Sequence, residues 1–453
     1  MALAHESWEE EGAAARHACP PAVARLPRAP SVLIAASTRS GAARVAMAFA
    51  ELGCHVEAIC WFCGPLAHTS AVRRIHRYSP LRPLAALRRA LAQAQPDLVV
   101  PCDDRAASHL LTLHDQYVAA GAHAPAAVIA RSLGDVAALR AVAGRAAFAG
   151  LAREAGVRVP LTLAVADAAQ LRAAIARVGL PAMLKVDGTW GGTGVVRVDS
   201  LAEAERAFAR LSGRVGALRA LKRLAVNRDP FWLLPWLRGE RPVVNVQAFI
   251  PGRPANCVVS CRQGEVLAII QAEVMVTRHP TGPAAVVRIV DHAEMAAAAR
   301  RIVGRCRMSG FCGLDFVIEE ATGALHLIEM NPRITPLGHL ALDRGRDPVG
   351  AWVAGQAGRG GVARAPITAA QVVAFFPQAW WLDPANPDLA TAYHDVPWTE
   401  PALVRELVRL SPWDVGWLAR RIETWRAGLP QAPAPRRAAT IATLSPRAAA
   451  DDA

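Results

Sequence analysis

The sequence predicts an α/β protein: a doubly wound N-terminal unit, a second region of strands and helices, and a tryptophan-rich C-terminal extension. Three observations carry this expectation. Short apolar runs alternate with helical periodicity from residue 31 onward, a glycine-rich stretch interrupts two strands near residue 190, and two apolar strands on either side of residues 321–323 carry acidic residues at matching positions. Of the 453 residues, 53% are hydrophobic and only 20% charged, which excludes a disordered or fibrous chain and suits about three domains, each with its own core.

Residues 1–30 are rich in Ala, Pro and Arg without periodicity and read as a flexible leader. The first eleven residues are acidic where a secretory signal would be basic, and no uncharged apolar run approaches a membrane span; the expectation is a cytoplasmic protein without a transmembrane segment. Ser31 to Ala36 reads as a buried strand, Thr38-Arg39-Ser40-Gly41 as a turn, Ala42 to Leu52 as a helix stopped by Gly53, and His55 to Cys60 as a second strand. A helix from Leu84 to Ala94 leads into the strand run Pro96 to Pro101 and the polar tip Cys102-Asp103-Asp104-Arg105, so residues 31–130 form the doubly wound domain. The region from 131 to 365 opens with a helix from Ala137 to Glu154, the strand-like Val157-Arg158-Val159-Pro160 and a helix from Ala168 to Val178 ending at Gly179. Nine scattered cysteines suit reduced thiols, and the lone Cys60-Trp61-Phe62-Cys63 spacing is too little for zinc.

The formal charge is +13, yet only two of the 51 cationic residues are lysines, Lys185 and Lys222; the remaining 49 are arginines. A surface charge accepts either residue, whereas a site that needs a compact ammonium does not readily accept a guanidinium, so a surviving lysine marks a position to inspect. Lys222 sits in an arginine-rich stretch and reads as chance. Lys185 lies on the strand Pro181 to Val186, which runs directly into Asp187-Gly188-Thr189-Trp190-Gly191-Gly192-Thr193-Gly194 and the strand Val195 to Val198. Glycines let a backbone approach a ligand and turn its N–H groups inward, as loops that cradle phosphates do. Neither a Walker loop nor a dinucleotide fingerprint fits, because both open a helix and this loop returns into a strand.

Phe311 to Arg333 reads as a hairpin around a three-residue turn, Ala321-Thr322-Gly323, which sets Asp315 opposite Glu329. Directly opposed like charges are destabilising, so two carboxylates here call for a cation between them. Asn331 adds an amide oxygen on the same face, and an all-oxygen set suits Mg²⁺ that also meets a triphosphate.

Together these residues resemble the ATP-grasp superfamily, nearest its carbamoyl-phosphate synthase and biotin carboxylase branch. The likeness spans roughly residues 31–360: Lys185 before the glycine hairpin, then Asn245-Val246-Gln247-Ala248-Phe249-Ile250-Pro251-Gly252, then Asp315 with Glu329-Met330-Asn331-Pro332-Arg333. The resemblance implies a Rossmann-like pre-ATP-grasp domain over 31–130 and a two-lobed α+β ATP-grasp domain over 131–365. It makes Lys185 and Arg145 phosphate contacts, and Gly188, Gly191, Gly192 and Gly194 the lid. Gln247, Ala248 and Ile250 become the hinge that reads adenine; Asp315, Glu329 and Asn331 become the ligands of Mg²⁺ or Mn²⁺. Arg333 joins Lys185 as a catalytic residue, meeting the reacting carboxylate. Where the family carries a glutamate for the ribose, this chain has Ala255 and Asn256, and Asn256 takes that place.

The implied reaction is ATP-dependent activation of a carboxylate as an acyl phosphate, captured by an amine or another nitrogen or sulfur nucleophile, with release of ADP and phosphate. Arg278 and Arg288 fall where such enzymes meet the acid or acceptor. The partners expected are a small carboxylic acid and an amine, with no nucleic acid, and a homodimer is admissible. The alternative is a catalytically impaired MgATP-binding regulatory protein. Six of the twelve tryptophans, at 380, 381, 398, 413, 417 and 425, define a C-terminal element over 366–429 with a helix from Pro412 to Leu429; residues 430–453 read as a disordered tail.

Overall fold

The computed structural model describes residues 29–36, 41–60, 64–79, 81–189, 194–213, 242–277, 282–343, 345–357, 364–383 and 385–408. The leader to residue 28, Arg39, Gly191, Gly192, Lys222, Arg278, the helix expected at 412–429 and the tail at 430–453 lie outside them.

The first unit runs β1 (Ser31–Ala36), α1 (Ala42–Glu51), β2 (His55–Cys60), β3 (Arg74–Arg77), α2 (Pro83–Ala94), β4 (Leu98–Pro101), α3 (Asp104–Ala119) and α4 (His123–Leu133). Its four strands are parallel in the order β3-β2-β1-β4. Alternation explains why β1 is apolar throughout: Leu33 and Ala35 join one core while Val32, Ile34 and Ala36 join another, so both faces are buried, as a doubly wound sheet requires. The polar tip after β4 starts α3, with the Asp103 carboxylate accepting from the Ala106 N–H at 2.8 Å.

The single helix expected over 137–154 is two, α5 (Val136–Ala141) and α6 (Arg145–Glu154), broken at Gly144, whose backbone is extended. The break makes Arg145 the first residue of a helix. The strand expected at 157–160 begins later, as β5 (Thr162–Val165); the Pro160 carbonyl instead accepts from the Thr162 hydroxyl. Then come α7 (Ala168–Val178), β6 (Ala182–Val186), β7 (Val195–Val198), α8 (Leu201–Ser212) and β8 (Val244–Ala248), giving an antiparallel sheet in the order β5-β8-β6-β7.

The largest sheet is built from β9 (Gly252–Arg262), β10 (Glu265–Thr277), β11 (Ala284–Val290), β12 (Gly310–Glu319) and β13 (Leu325–Asn331), with α9 (Ala293–Arg305) between β11 and β12. It continues after α10 (Pro348–Ala357) with β14 (Val372–Phe375), α11 (Gln378–Leu382), β15 (Tyr393–Asp395) and finally α12 (Pro401–Val408). The strand order is β13-β12-β9-β10-β11-β14-β15. The boundary expected at residue 365 therefore falls ahead of two strands of this same sheet, and Trp380 packs back on Phe376 and His394 with ring centroids 5.3 and 4.6 Å away. The N-terminal sheet and this one share a core, where Phe49, Phe311 and Trp352 meet with centroids 6.0 to 6.5 Å apart. Among the described residues no helix is long and apolar enough to cross a membrane.

Candidate active site

A cleft lies between the antiparallel four-stranded sheet and the seven-stranded one. The smaller sheet turns Leu184, Val246, Val186 and Val244 into a core beneath α7 and α8. Its other face is polar. Thr162, Gln247, Met183 and Arg197 form one cross-strand row, and Asn245 opposes Lys185 in the next. Gln247 donates its amide N–H to the Thr162 hydroxyl at 2.9 Å, and the Arg197 guanidinium lies 4.5 Å from the centre of the Phe249 ring. At the foot of the glycine loop, Gly188 and Gly194 both adopt positive φ, +68° and +76°, which a side chain would disfavour.

On the larger sheet, Asn256, Asp315 and Glu329 stand in one cross-strand row. Asn331 lies on the same face and donates to Asp315 at 2.9 Å. The pairing of Asp315 with Glu329 arises differently from the sequence expectation. The turn holds four residues, 320–323, because the Glu319 N–H donates to the Ala324 carbonyl, and a bulge after Asp315 restores the register.

Arg145 spans the cleft. Its guanidinium donates to the carbonyls of Val186 and Thr189 and approaches Glu329 Oε1 at 3.5 Å. Its backbone N–H donates to Asp187 Oδ1 at 3.1 Å, and the same oxygen accepts from Asn245 at 2.9 Å. Asp187 thus acts as a cap on α6 supplied from a neighbouring strand. Arg333 donates through Nε to Asp104 at 2.8 Å and through Nη2 to Asn331 at 3.2 Å, while the Ile334 N–H donates to the Pro101 carbonyl at 3.1 Å. The carboxyl end of β4 therefore holds the strand that carries the acidic set.

Burial pulls both charge types toward neutrality. The Asp315 carboxyl is pushed up to about 6, first by burial and then by the Glu329 charge. The Lys185 ammonium is pushed down to about 8 by burial, helped by Arg145 and opposed by Glu329 and Asp315. No group of three or more His, Cys, Asp or Glu able to hold a metal occurs among the described residues; the set here is two carboxylates and an amide. A hard divalent cation fits that oxygen set, and it would relieve the repulsion that raises Asp315.

Of the residues expected from sequence, the structure brings together Lys185, Arg145, Asp315, Glu329, Asn331 and Arg333, with Gly188 and Gly194 at the loop foot and Gln247, Ala248 and Ile250 on the chain leaving the smaller sheet. Asn256 is beside Asp315, whereas Ala255 points into the opposite core, so the missing glutamate at 255 concerns a side chain turned away from the cleft. Arg288 is a correction. It opposes Glu273, which opposes Ala255, so it is exposed on the face away from Asp315. Sequence reasoning missed Asp104, Asp187, Asn245 and Thr162; the period of two from Gln247 would have placed Asn245 on the polar face.

Residues 144–341 match the family model described as the carbamoyl-phosphate synthase L chain, ATP binding domain. A curated relative, the carbamoyl phosphate synthase large chain of Methanothermobacter thermautotrophicus, is 23% identical over 206 residues, covering 45% of this chain and 18% of its own length. The chain thus spans about a fifth of that relative. Among solved structures, the ADP complex of purK, N5-carboxyaminoimidazole ribonucleotide synthetase, aligns with TM-score 0.53 and 17% identity over 75% of this chain and 81% of its own. The biotin carboxylase domain of Hydrogenobacter thermophilus 2-oxoglutarate carboxylase, in complex with MgADP, ADP and bicarbonate, aligns with TM-score 0.52 and 15% identity over 73% and 70%. At these identities the likeness is one of fold.

Proposed function

Given a chain that carries an ATP-grasp domain of the carbamoyl-phosphate synthase type over residues 144–341, we propose that it is an ATP-dependent carboxylate–amine ligase. The observation that carries this reading is the juxtaposition of Lys185 and Arg145 with the row Asp315, Glu329 and Asn331, cations facing an all-oxygen set across one cleft. In the proposed reaction a carboxylate oxygen attacks the γ-phosphorus of ATP and ADP leaves. An amine then attacks the acyl carbon of the resulting acyl phosphate, phosphate leaves, and the nitrogen loses a proton.

Asp315, Glu329 and Asn331 would hold Mg²⁺, which when bound offsets charge on the transferring phosphoryl group. Lys185 and Arg145 bind the phosphates from the smaller sheet, with Gly188 and Gly194 beside them at the foot of the loop. Gln247 through Ile250 seat the base, and Asn256 lies on the cleft face where a nucleotide hydroxyl would reach it. The Asn256 side-chain oxygen is buried without a partner among the described residues, which suits a ligand donor there. Arg333, fixed at Nε and Nη2, presents its remaining nitrogen to the carboxylate substrate. The complete set of Asp315, Glu329, Asn331 and Arg333 speaks against a merely regulatory nucleotide binder. The test is ADP release from MgATP with pooled carboxylic acids and amines: release that depends on both pools supports the ligase, and nucleotide binding without release under any pool contradicts it.

A further inference from the structure

Asn245 is fully buried on β8 and directly opposes Lys185 of β6. Its amide is oriented by chemistry, since Asp187 Oδ1 accepts from its Nδ2 at 2.9 Å and a carboxylate has nothing to donate back. The amide oxygen, Oδ1, is thereby turned elsewhere, and it is buried with no donor among the described residues. Native structures rarely leave a buried acceptor unpaired without a use for it. The residue directly opposed to it on that face carries a donor, the buried Lys185 ammonium. Cross-strand neighbours on one face have Cβ atoms about 5 Å apart, within reach of a lysine side chain.

We propose that Asn245 is a positioning residue for Lys185: when a nucleotide fills the cleft, the amide oxygen takes one N–H of the ammonium and aims the other two at the phosphates. Phosphate oxygens only accept, so the nucleotide's phosphates cannot satisfy Asn245 themselves, whereas Lys185 has three donors to divide between them. With the nucleotide in place of water, a buried ammonium keeps its charge best with acceptors on every N–H. A leucine here would pack well and leave Lys185 without that acceptor. The inference rests on the proposed nucleotide-binding role of Lys185.

The experiment is a double-mutant cycle of MgATP and MgADP affinity, by calorimetry, on the full chain: wild type, Asn245→Leu, Lys185→Met and the double variant. Asn245→Leu should weaken MgATP binding about tenfold or more, the scale of a charge-assisted hydrogen bond. Its melting temperature should fall only slightly, because the leucine removes the N–H that Asp187 accepts as well as an acceptor that has no donor among the described residues. Once Lys185 is Met, adding Asn245→Leu should cost nothing further. A purely structural Asn245 would give affinity losses that add, which overturns the proposal, as does wild-type affinity in Asn245→Leu. Should the leucine prevent folding, Asn245→Ser enters the same cycle and is read the same way. A wild type that binds neither nucleotide instead overturns the nucleotide-binding reading, and the inference with it.

Discussion

The two walls of the cleft carry opposite charges and solve the cost of burying them differently. On the smaller sheet, Arg145 spends its donors on the carbonyls of Val186 and Thr189, and Asp187 is held by Asn245 and the start of α6. On the larger sheet, Asp315 and Glu329 face each other, among the described residues only the Asn331 amide donates to Asp315, and Asp315 is driven up to about 6. One wall is a hydrogen-bonded frame in which Lys185 and the Asn245 amide oxygen are left over among the described residues. The other is a cluster of acceptors short of positive charge, and the difference implies a ligand bringing a cation to one side and anions to the other.

The sharpest way to break that comparison is Glu329→Ala, which removes one of the two opposed carboxylates. ADP release should fall about a hundredfold to a thousandfold, with circular dichroism and melting temperature unchanged. A variant that keeps most of the wild-type rate would remove Glu329 from the metal set. Next in size, Trp352→Ala tests whether the larger sheet needs the N-terminal unit as its support. Trp352 is 1% exposed and meets both Phe49 and Phe311, so its loss should cost about 3–5 kcal/mol in denaturant unfolding.

A buried charge cluster away from the cleft gives the third test. Burial alone would raise Asp395, but His339, 2.8 Å away, and Arg44 outweigh it and hold its carboxyl below the usual range. A depressed carboxyl contributes stability above its unfolded value, near 4, and the contribution is lost as pH falls through the lower folded value. Asp395→Asn should therefore be less stable at pH 7 by about 3 kcal/mol and should flatten the acid limb of a stability profile. A profile that keeps the wild-type acid slope would contradict this assignment. The smallest effect belongs to Arg288→Ala: on the face away from Asp315, it should leave nucleotide affinity within about twofold of wild type, the range of ordinary surface changes.

The contrast between the walls also explains what could be read in advance. Elements with unambiguous period and punctuation, such as Ser31–Ala36, His55–Cys60 and Ala168–Val178, match their expected bounds. The acidic pair was legible because Gly323 marks a turn between two apolar runs, although a longer turn and a bulge cancelled to give the expected partners. The face of Arg288 was not legible, because a single residue of strand register reverses every side chain and nothing in the sequence anchors that strand. The split at Gly144 was hidden for a related reason: it depends on Asp187, a residue 42 positions further along the chain, capping α6. Asp104 escaped notice because its partner, Arg333, is 229 positions away.

The most direct test of the central claim is calorimetric titration of MgATP into the wild type and Lys185→Ala. The wild type should bind, and the variant's affinity should fall about tenfold to a hundredfold, as the loss of charge-assisted hydrogen bonds to phosphate requires. Wild-type binding that Lys185→Ala leaves intact would contradict the account, because the nucleotide would then lie somewhere other than between these two walls.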